Sequence, residues 1–221
     1  MLNEQAQALG AQRSAIRELF EYGCRRAAQI GAENVLDFSI GNPSIPSPPE
    51  VNDTIREVLA DTDSLLVHGY TSAVGDYETR KAISDDLNSR YGITTKPENF
   101  FIGCGAAPEL VSVLRALSVP DGEVIAIAPY FPEYKPFAEE AGLKFKVVPA
   151  DVPSFQIDFD ALKKAITSNT QAIILNSPNN PSGVVYTKET LKKLRNVITD
   201  KILDYGHTIY IISDEPYREL A

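Results

Sequence analysis

The chain has 221 residues, of which 43% are hydrophobic and 23% charged, a globular composition with room for a sizeable core. Its formal net charge is −9. This acidity, with no basic cluster longer than a pair, argues against nucleic acid and anionic membrane surfaces as partners. No apolar run approaches the ~20 residues of a membrane span, and the start lacks the apolar segment of a secretory signal. We therefore expect a cytoplasmic protein.

Neither the cysteines nor the histidines predict a metal site. Cys24 and Cys104 are far apart and lack metal-like spacing, which favours a reducing compartment over a disulfide framework. His68 and His207 show no metal spacing either, so we expect structural or surface roles for them.

The N-terminal region is predicted to contain a helix, a strand and a connector. Apolar residues recur at helical spacing over 11–30, and an apolar strand is predicted over 35–40. The proline-rich run 41–49 suits neither a helix nor a central strand, so it is an extended connector. We place the domain boundary there, with 1–45 as N-terminal arm and part of a small domain. Residues 46–221 are then part of a large domain.

Helices and strands alternate downstream of this connector. The predicted helices cover 48–59, 108–117, 133–141, 160–167 and 188–205. The predicted strands cover 100–104, 124–128, 145–148, 172–176 and 208–213. Short β-branched runs separated by amphipathic helices indicate βαβ units. The sequence therefore predicts an α/β fold with a mostly parallel sheet flanked by helices.

Unusual residues follow four of the predicted strands, where ligands bind in open α/β sheets. The turn 103–107 is rich in small residues, so its backbone N–H groups could meet an anion at a helix N-terminus, or it is an ordinary βα turn. Phe131 lies between two prolines and either stacks on a planar ring or covers the core. The run 176–183 contains three asparagines, which suit a ligand site or a polar turn.

Asp214 ends an apolar strand, where a carboxylate needs a partner. A protonated heterocyclic nitrogen would be a fitting partner, and the alternative is an aspartate that caps a helix. Tyr217, three residues later, would direct its hydroxyl to the same ligand.

Five segments in order resemble the large domain of aspartate-aminotransferase-like enzymes, which are class I/II, fold type I pyridoxal-phosphate enzymes. The segments are SIGNP, GYTSAVGDYETRKAI, IGCGAAPEL, NSPNNPSG and SDEPY. The resemblance extends from about residue 12 to residue 221 and identifies the chain as the N-terminal portion of such an enzyme. It implies a fold type I large domain, incomplete here, with the N-terminal helix belonging to the small domain.

The resemblance implies roles around the ring of pyridoxal 5'-phosphate. Asp214 would pair with the pyridine nitrogen and keep it protonated. Tyr217 and Asn180 would hydrogen-bond the phenolic oxygen of the ring, and Phe131 would stack on its face. The bonds Ala128–Pro129 and Asn180–Pro181 are cis in similar enzymes.

The same resemblance implies roles at the phosphate and at the substrate. The backbone of Gly105, Ala106 and Ala107 would hold the phosphate, without the polar side chain that many relatives have in this loop. Tyr70 would reach the phosphate of a neighbouring subunit, which implies a homodimer. Gly41 would contact the substrate carboxylate through its backbone.

The family's covalent lysine and substrate-binding arginine lie beyond the last residue, Ala221. We therefore expect no catalytic residue within this chain, a truncated fragment that is inactive alone, and a longer parent enzyme. Two later strands of the family's sheet would lie between 100–104 and 172–176, so we expect these two strands to be unpaired edges.

The predicted activity of the parent is transfer of an amino group between an amino acid and a 2-oxo acid. A carbon–sulfur lyase on the same fold is one alternative, and a non-catalytic module is another. A nucleotide-binding doubly wound domain would need a glycine fingerprint and an acidic ribose ligand, and the sequence has neither.

Overall fold

The computed structural model describes residues 4–11, 15–41 and 45–220. The chain divides into two compact units, Met1–Ile102 and Gly103–Ala221. The boundary that we expected between residues 45 and 46 lies inside the first unit and stays a prediction.

The first unit is helical in its described residues. Its helices are α1 (Glu4–Ala11), α2 (Ala15–Ile30), α3 (Pro49–Asp61), α4 (Ser64–His68) and α5 (Tyr77–Tyr91), with short 3₁₀ turns at Ala32–Asn34 and Pro97–Asn99. The helices predicted over 11–30 and 48–59 are confirmed as α2 and α3, whereas α4 and α5 were not predicted. Local signals begin and end α5, because the Asp76 side chain accepts a hydrogen bond from the backbone of Thr79 and Gly92 ends the helix at φ 63°.

Two predicted strands are wrong. Residues 35–40 form irregular backbone, and the side chains of Leu36 and Phe38 are 82% and 92% exposed. Residues 100–104 also form no strand, and Phe101 is 60% exposed. Both runs have strand composition, but a strand also needs a neighbour to accept its backbone hydrogen bonds. Neither run pairs with another strand in the described part of the chain.

The second unit carries the predicted α/β architecture. Its helices are α6 (Ala106–Ala116), α7 (Tyr134–Glu140), α8 (Phe159–Ala165) and α9 (Lys188–Tyr205). Its strands are β1 (Glu123–Ile127), β2 (Lys144–Val148), β3 (Ala150–Asp151), β4 (Gln156–Ile157), β5 (Thr170–Asn176) and β6 (Tyr210–Asp214), and a 3₁₀ turn follows at Arg218–Leu220. The other four predicted strands and the other four predicted helices are thereby confirmed, with ends that differ by a few residues at most.

Four strands form one parallel sheet in the order β2-β1-β5-β6, and β3 and β4 form a separate antiparallel pair. The expectation that 172–176 is an unpaired edge is wrong. β5 pairs with β1 on one side, and β6 pairs on its other side, with Ala172 opposite Tyr210 and Asn176 opposite Asp214. The edge strands of this sheet are therefore β2 and β6.

Two apolar clusters cover the two faces of this sheet. Ile125 and Ile173 point to a cluster that includes Leu162 of α8 and Leu194 of α9. Val124, Ala126, Ala172 and Ile174 point to the opposite cluster, which includes Leu114 of α6 and Ala138 of α7. Because alternate residues of a strand face opposite sides, the central residues of both strands are all apolar, Val124–Ile127 in β1 and Ala172–Leu175 in β5. Helices on both faces therefore leave the two ends of the strands for polar groups.

Polar groups at the amino end of the sheet bond to one another. The carboxylate oxygen Oε2 of Glu123 accepts hydrogen bonds from Lys146 Nζ at 3.1 Å, Thr167 Oγ1 at 2.6 Å and Thr170 Oγ1 at 3.3 Å. Lys146 Nζ also donates to the carbonyl of Ala165 at 2.5 Å. This cluster joins β1, β2 and the segment that enters β5.

Candidate functional site

A cavity of about 230 Å³ lies at the carboxyl end of the sheet. Its walls are formed by Ala106, Ala107, Leu110, Phe131, Asn176, Asn180, Asp214, Pro216 and Tyr217. Six of the eight residues predicted to bind the cofactor are among them: Ala106, Ala107, Phe131, Asn180, Asp214 and Tyr217. The fold thus brings together residues that are more than 100 positions apart in the sequence.

Asp214 is the last residue of β6 and is partly buried in the wall of this cavity. Its carboxylate oxygen Oδ2 accepts a hydrogen bond from the hydroxyl of Tyr134. No other hydrogen bond to this carboxylate comes from the described residues. The cavity therefore holds a partly buried carboxylate with one protein donor and further capacity to accept a hydrogen bond from a ligand.

Tyr134, the first residue of α7, was not predicted as a site residue. Its side chain is 1% exposed, and its ring meets that of Phe131 edge-on with centroids 5.5 Å apart. Burial raises the pKa of the Tyr134 phenol well above its ordinary range, and the hydrogen bond to Asp214 adds to this. The hydroxyl therefore stays protonated and acts as a donor to Asp214. A tyrosine hydroxyl in an apolar core needs a partner, and that requirement was the only signal in the sequence.

Asn176 was also missed as a positioning residue, although it lies in the NSPNNPSG run. Its side chain is 4% exposed at the end of β5. The amide Nδ2 donates to the backbone carbonyl of Asp214 at 2.9 Å, and Oδ1 accepts from the backbone N–H of Asn180 at 2.6 Å. The side chain thus links the end of β6 to the loop that carries Asn180.

The loop after β5 is braced by its own side chains. The Oδ1 atom of Asn179 accepts from the backbone N–H of Ser182 at 3.0 Å and from its hydroxyl at 2.7 Å. The bonds Ala128–Pro129 and Asn180–Pro181 are cis, as expected, and so are Val152–Pro153 and Ser177–Pro178.

The N-terminus of α6 forms the small-residue wall. Gly105 has φ 129° and ψ 163°, a conformation open essentially only to glycine. It turns the chain so that Ala106 and Ala107 begin the helix, and the first N–H groups of a helix have no intrahelical partner. These exposed N–H groups can bind an anion.

Tyr70 and Gly41 belong to the first compact unit, and the side chain of Tyr70 is fully exposed. Gly41 is exposed too, at the edge of a described range. The roles expected for these two residues stay predictions.

The donor set in the cavity fits a flat anionic heterocycle with a basic ring nitrogen. It offers a carboxylate to a protonated nitrogen, a phenol and an amide to a ring oxygen, an aromatic face to the ring and a helix N-terminus to a phosphate. The residues with described positions contain no cluster of His, Cys, Asp and Glu suited to a metal ion. Among the same residues, no helix is both long and apolar enough to cross a bilayer.

The model of the aminotransferase class I and II family matches residues 33–221. A probable aspartate aminotransferase of Methanocaldococcus jannaschii is 31% identical over 207 residues, which cover 94% of this chain and 50% of that protein. An aspartate aminotransferase of Pyrococcus horikoshii is 33% identical and covers 93% of this chain and 49% of its own length. The chain thus spans about half the length of the curated relatives that it matches.

The solved structures that resemble this chain are also aminotransferases. The crystal structure of an aminotransferase from Eubacterium rectale superimposes with a TM-score of 0.95 at 55% identity, covering 99% of this chain and 55% of that one. An aspartate aminotransferase from Thermus thermophilus with maleate gives a TM-score of 0.82 at 27% identity, covering 97% and 53%. The fold type I expectation is confirmed, and the chain belongs to the class I and II aminotransferase family.

Proposed function

We propose that this chain forms part of the cofactor site of an aminotransferase that uses pyridoxal 5'-phosphate. The observation that carries the proposal is the Asp214 carboxylate, which has one protein donor and lines the same cavity as Asn180 and Tyr217. When bound, the cofactor supplies an electron sink through its protonated ring.

Each wall of the cavity has a part in holding this group. The Asp214 carboxylate would accept a hydrogen bond from the protonated ring nitrogen, and its negative charge would favour the protonated ring. Asn180 and Tyr217 donate to the phenolic oxygen of the ring, and Phe131 packs on the ring face. The backbone N–H groups at Gly105, Ala106 and Ala107 bind the phosphate, which the helix dipole also favours.

The whole protein, in this proposal, moves an amino group between an amino acid and a 2-oxo acid in the cytoplasm. Its relatives from Methanocaldococcus jannaschii and Pyrococcus horikoshii are named as aspartate aminotransferases, which supports amino-group transfer as the reaction. Gly41 contacts the substrate carboxylate, and Tyr70 reaches the phosphate in the neighbouring subunit of a homodimer. Residues 1–45 contribute an arm and part of a small domain, and 46–221 contribute part of the large domain.

Titration of the chain with pyridoxal 5'-phosphate, followed by the absorbance of the cofactor, tests this proposal. We expect a saturable spectral change, and an affinity at least about tenfold lower for Asp214→Asn, because an amide cannot supply the charge that pairs with a protonated ring. Asp121→Asn is the matched control, since Asp121 forms an exposed ion pair with Lys144 at the amino end of the sheet. Absence of saturation up to millimolar cofactor, or equal affinities of the Asp214→Asn variant and the unmutated chain, would contradict the proposal.

A further inference from the structure

Asn176 is the one side chain in the described cavity wall that bonds to the backbone of two proposed cofactor ligands. Its Nδ2 donates to the carbonyl of Asp214 at 2.9 Å, and its Oδ1 accepts from the N–H of Asn180 at 2.6 Å. It is 4% exposed, so neither bond is readily exchanged for one to water. The two partners are 34 positions apart in sequence and lie on different elements, the end of β6 and the loop after β5.

The Asn176 amide is engaged through both of its polar atoms. A primary amide has two N–H donors and an oxygen with two lone pairs, and here Nδ2 makes one hydrogen bond to Asp214 and Oδ1 makes one to Asn180. Ladder bonds between β5 and β6 fix the register up to Asn176 and Asp214, but they do not reach the loop at Asn180. The Asn179 side chain braces the same loop only internally, through Ser182. The Asn176 side chain therefore ties the backbone of Asn180 to the end of β6.

We propose that Asn176 is a positioning residue of the cofactor site, which holds the Asn180 amide and the Asp214 carboxylate in the spacing that a pyridoxal ring requires. The proposal rests on the proposed function, because those two residues must contact the ring. Removal of the Asn176 amide leaves the partly buried N–H of Asn180 and the partly buried carbonyl of Asp214 without this partner. The loop and the strand end can then separate, so both ring contacts weaken together.

The experiment compares Asn176→Ala with the unmutated chain in titrations with pyridoxal 5'-phosphate. We expect about tenfold weaker binding, as for loss of a well-placed contact, and a smaller circular dichroism signal in the cofactor band per molecule bound. The dichroism signal per bound cofactor falls when the ring is held loosely, whereas a loss of protein stability alone leaves this signal unchanged. In an Asn180→Ala background the effect of Asn176→Ala should shrink to about twofold or less, because coupled residues are not additive.

Asn88→Ala is the matched control. The Asn88 side chain also spans two backbone groups, since Oδ1 accepts from the N–H of Thr95 at 2.7 Å and Nδ2 donates to its carbonyl at 3.0 Å. The control should lower stability while leaving affinity and the dichroism signal per bound cofactor unchanged. If Asn176→Ala does not fold, Asn176→Asp replaces it, because aspartate keeps the acceptor for Asn180 and loses only the donor to Asp214.

Three results overturn the proposal. One is an Asn176 variant that binds like Asn88→Ala and gives a full dichroism signal. Another is full additivity of Asn176→Ala and Asn180→Ala. A third is an unmutated chain that binds no cofactor. This result contradicts the proposed function itself, and titration of the unmutated chain alone distinguishes it from the other two.

Discussion

Two partly buried carboxylates lie at opposite ends of the same sheet, and their surroundings differ. Glu123, at the amino end, accepts hydrogen bonds from Lys146, Thr167 and Thr170, and its side chain is 13% exposed. Asp214, at the carboxyl end, accepts one hydrogen bond within the described residues, from Tyr134, and borders a cavity. The protein itself satisfies the first carboxylate and leaves the second with capacity for a ligand.

This difference separates a structural carboxylate from a functional one better than burial does. Both groups are partly removed from bulk water, so both benefit from compensating donors. At Glu123 the donors come from β2 and from the segment that enters β5, and the hydrogen bonds join both to β1. At Asp214 the single donor is held in place, since Tyr134 lies in the core. The carboxylate can accept further hydrogen bonds, and it faces the cavity.

The largest expected effect comes from truncating each carboxylate in turn. Glu123→Ala should lower the free energy of unfolding by about 2 kcal/mol, because it leaves the Lys146 ammonium and two hydroxyls without their shared acceptor. Asp214→Ala should cost less, about 1 kcal/mol, because it leaves only the Tyr134 hydroxyl without its acceptor, but it should remove cofactor binding. Urea unfolding and a cofactor titration measure the two quantities. A larger stability loss for Asp214→Ala, or weaker cofactor binding by Glu123→Ala, would reverse the comparison.

A smaller effect is expected from the single donor at the carboxyl end. Tyr134→Phe removes the hydroxyl that orients Asp214, and we expect about tenfold weaker cofactor binding. In an Asp214→Asn background the same change should have little effect, because the acceptor charge is already gone. Tyr205→Phe is the control, since its hydroxyl donates to the carbonyl of Ile166 at 3.3 Å near the other end of the sheet. Additive effects in the two backgrounds would mean that Tyr134 does not act through Asp214.

At acid pH, we expect the stability of the protein to depend on the ionisation of Glu123, at the amino end of the sheet. Burial alone would raise the pKa of Glu123, but hydrogen bonds from Thr167 and Lys146 outweigh burial and lower it below its ordinary value of 4.5. A carboxylate with a lowered pKa stabilises the fold fully above that ordinary value and loses its contribution as the pH falls through the folded pKa. We expect the free energy of unfolding to decrease below about pH 4.5, and to decrease less in Glu123→Gln. Identical acid profiles of the two proteins would contradict this.

The smallest expected change concerns tyrosine ionisation. Burial raises the pKa of Tyr186 to about 12. The pKa of Tyr134 is raised further, by burial and by the hydrogen bond to Asp214. In an absorbance titration of phenolate, Tyr186→Phe should remove signal that appears near pH 12. Tyr134→Phe should leave the titration unchanged up to that pH. Loss of phenolate signal below pH 12 in Tyr134→Phe would show that the Tyr134 hydroxyl is not held as we describe.

Local signals explain which elements could be predicted from the sequence. The bounds of α9 were predicted as observed, because Thr187 caps its start through the Thr190 N–H and Gly206 ends it at φ 74°. The runs 35–40 and 100–104 have the composition of strands and are not strands. The residues of such a run do not indicate whether a neighbouring strand is present to form hydrogen bonds with its backbone.

The candidate site divides in the same way. Asp214, Asn180 and Tyr217 were predicted because they follow apolar strands and match family motifs, and the structure places them around one cavity. Tyr134 and Asn176 were missed as supporting residues because their roles depend on partners 80 and 38 positions away. Neither partner is evident until the sheet order is known.

The sequence by itself determined the alternation of strands and helices, the parallel sheet and the aminotransferase family, since periodicity, caps and short motifs are properties of neighbouring residues. Only the tertiary structure decided that β5 lies between β1 and β6, and that Asn176 and Tyr134 support Asp214. Strand order and buried hydrogen bonds join distant segments, and their free energy depends on how those segments pack together.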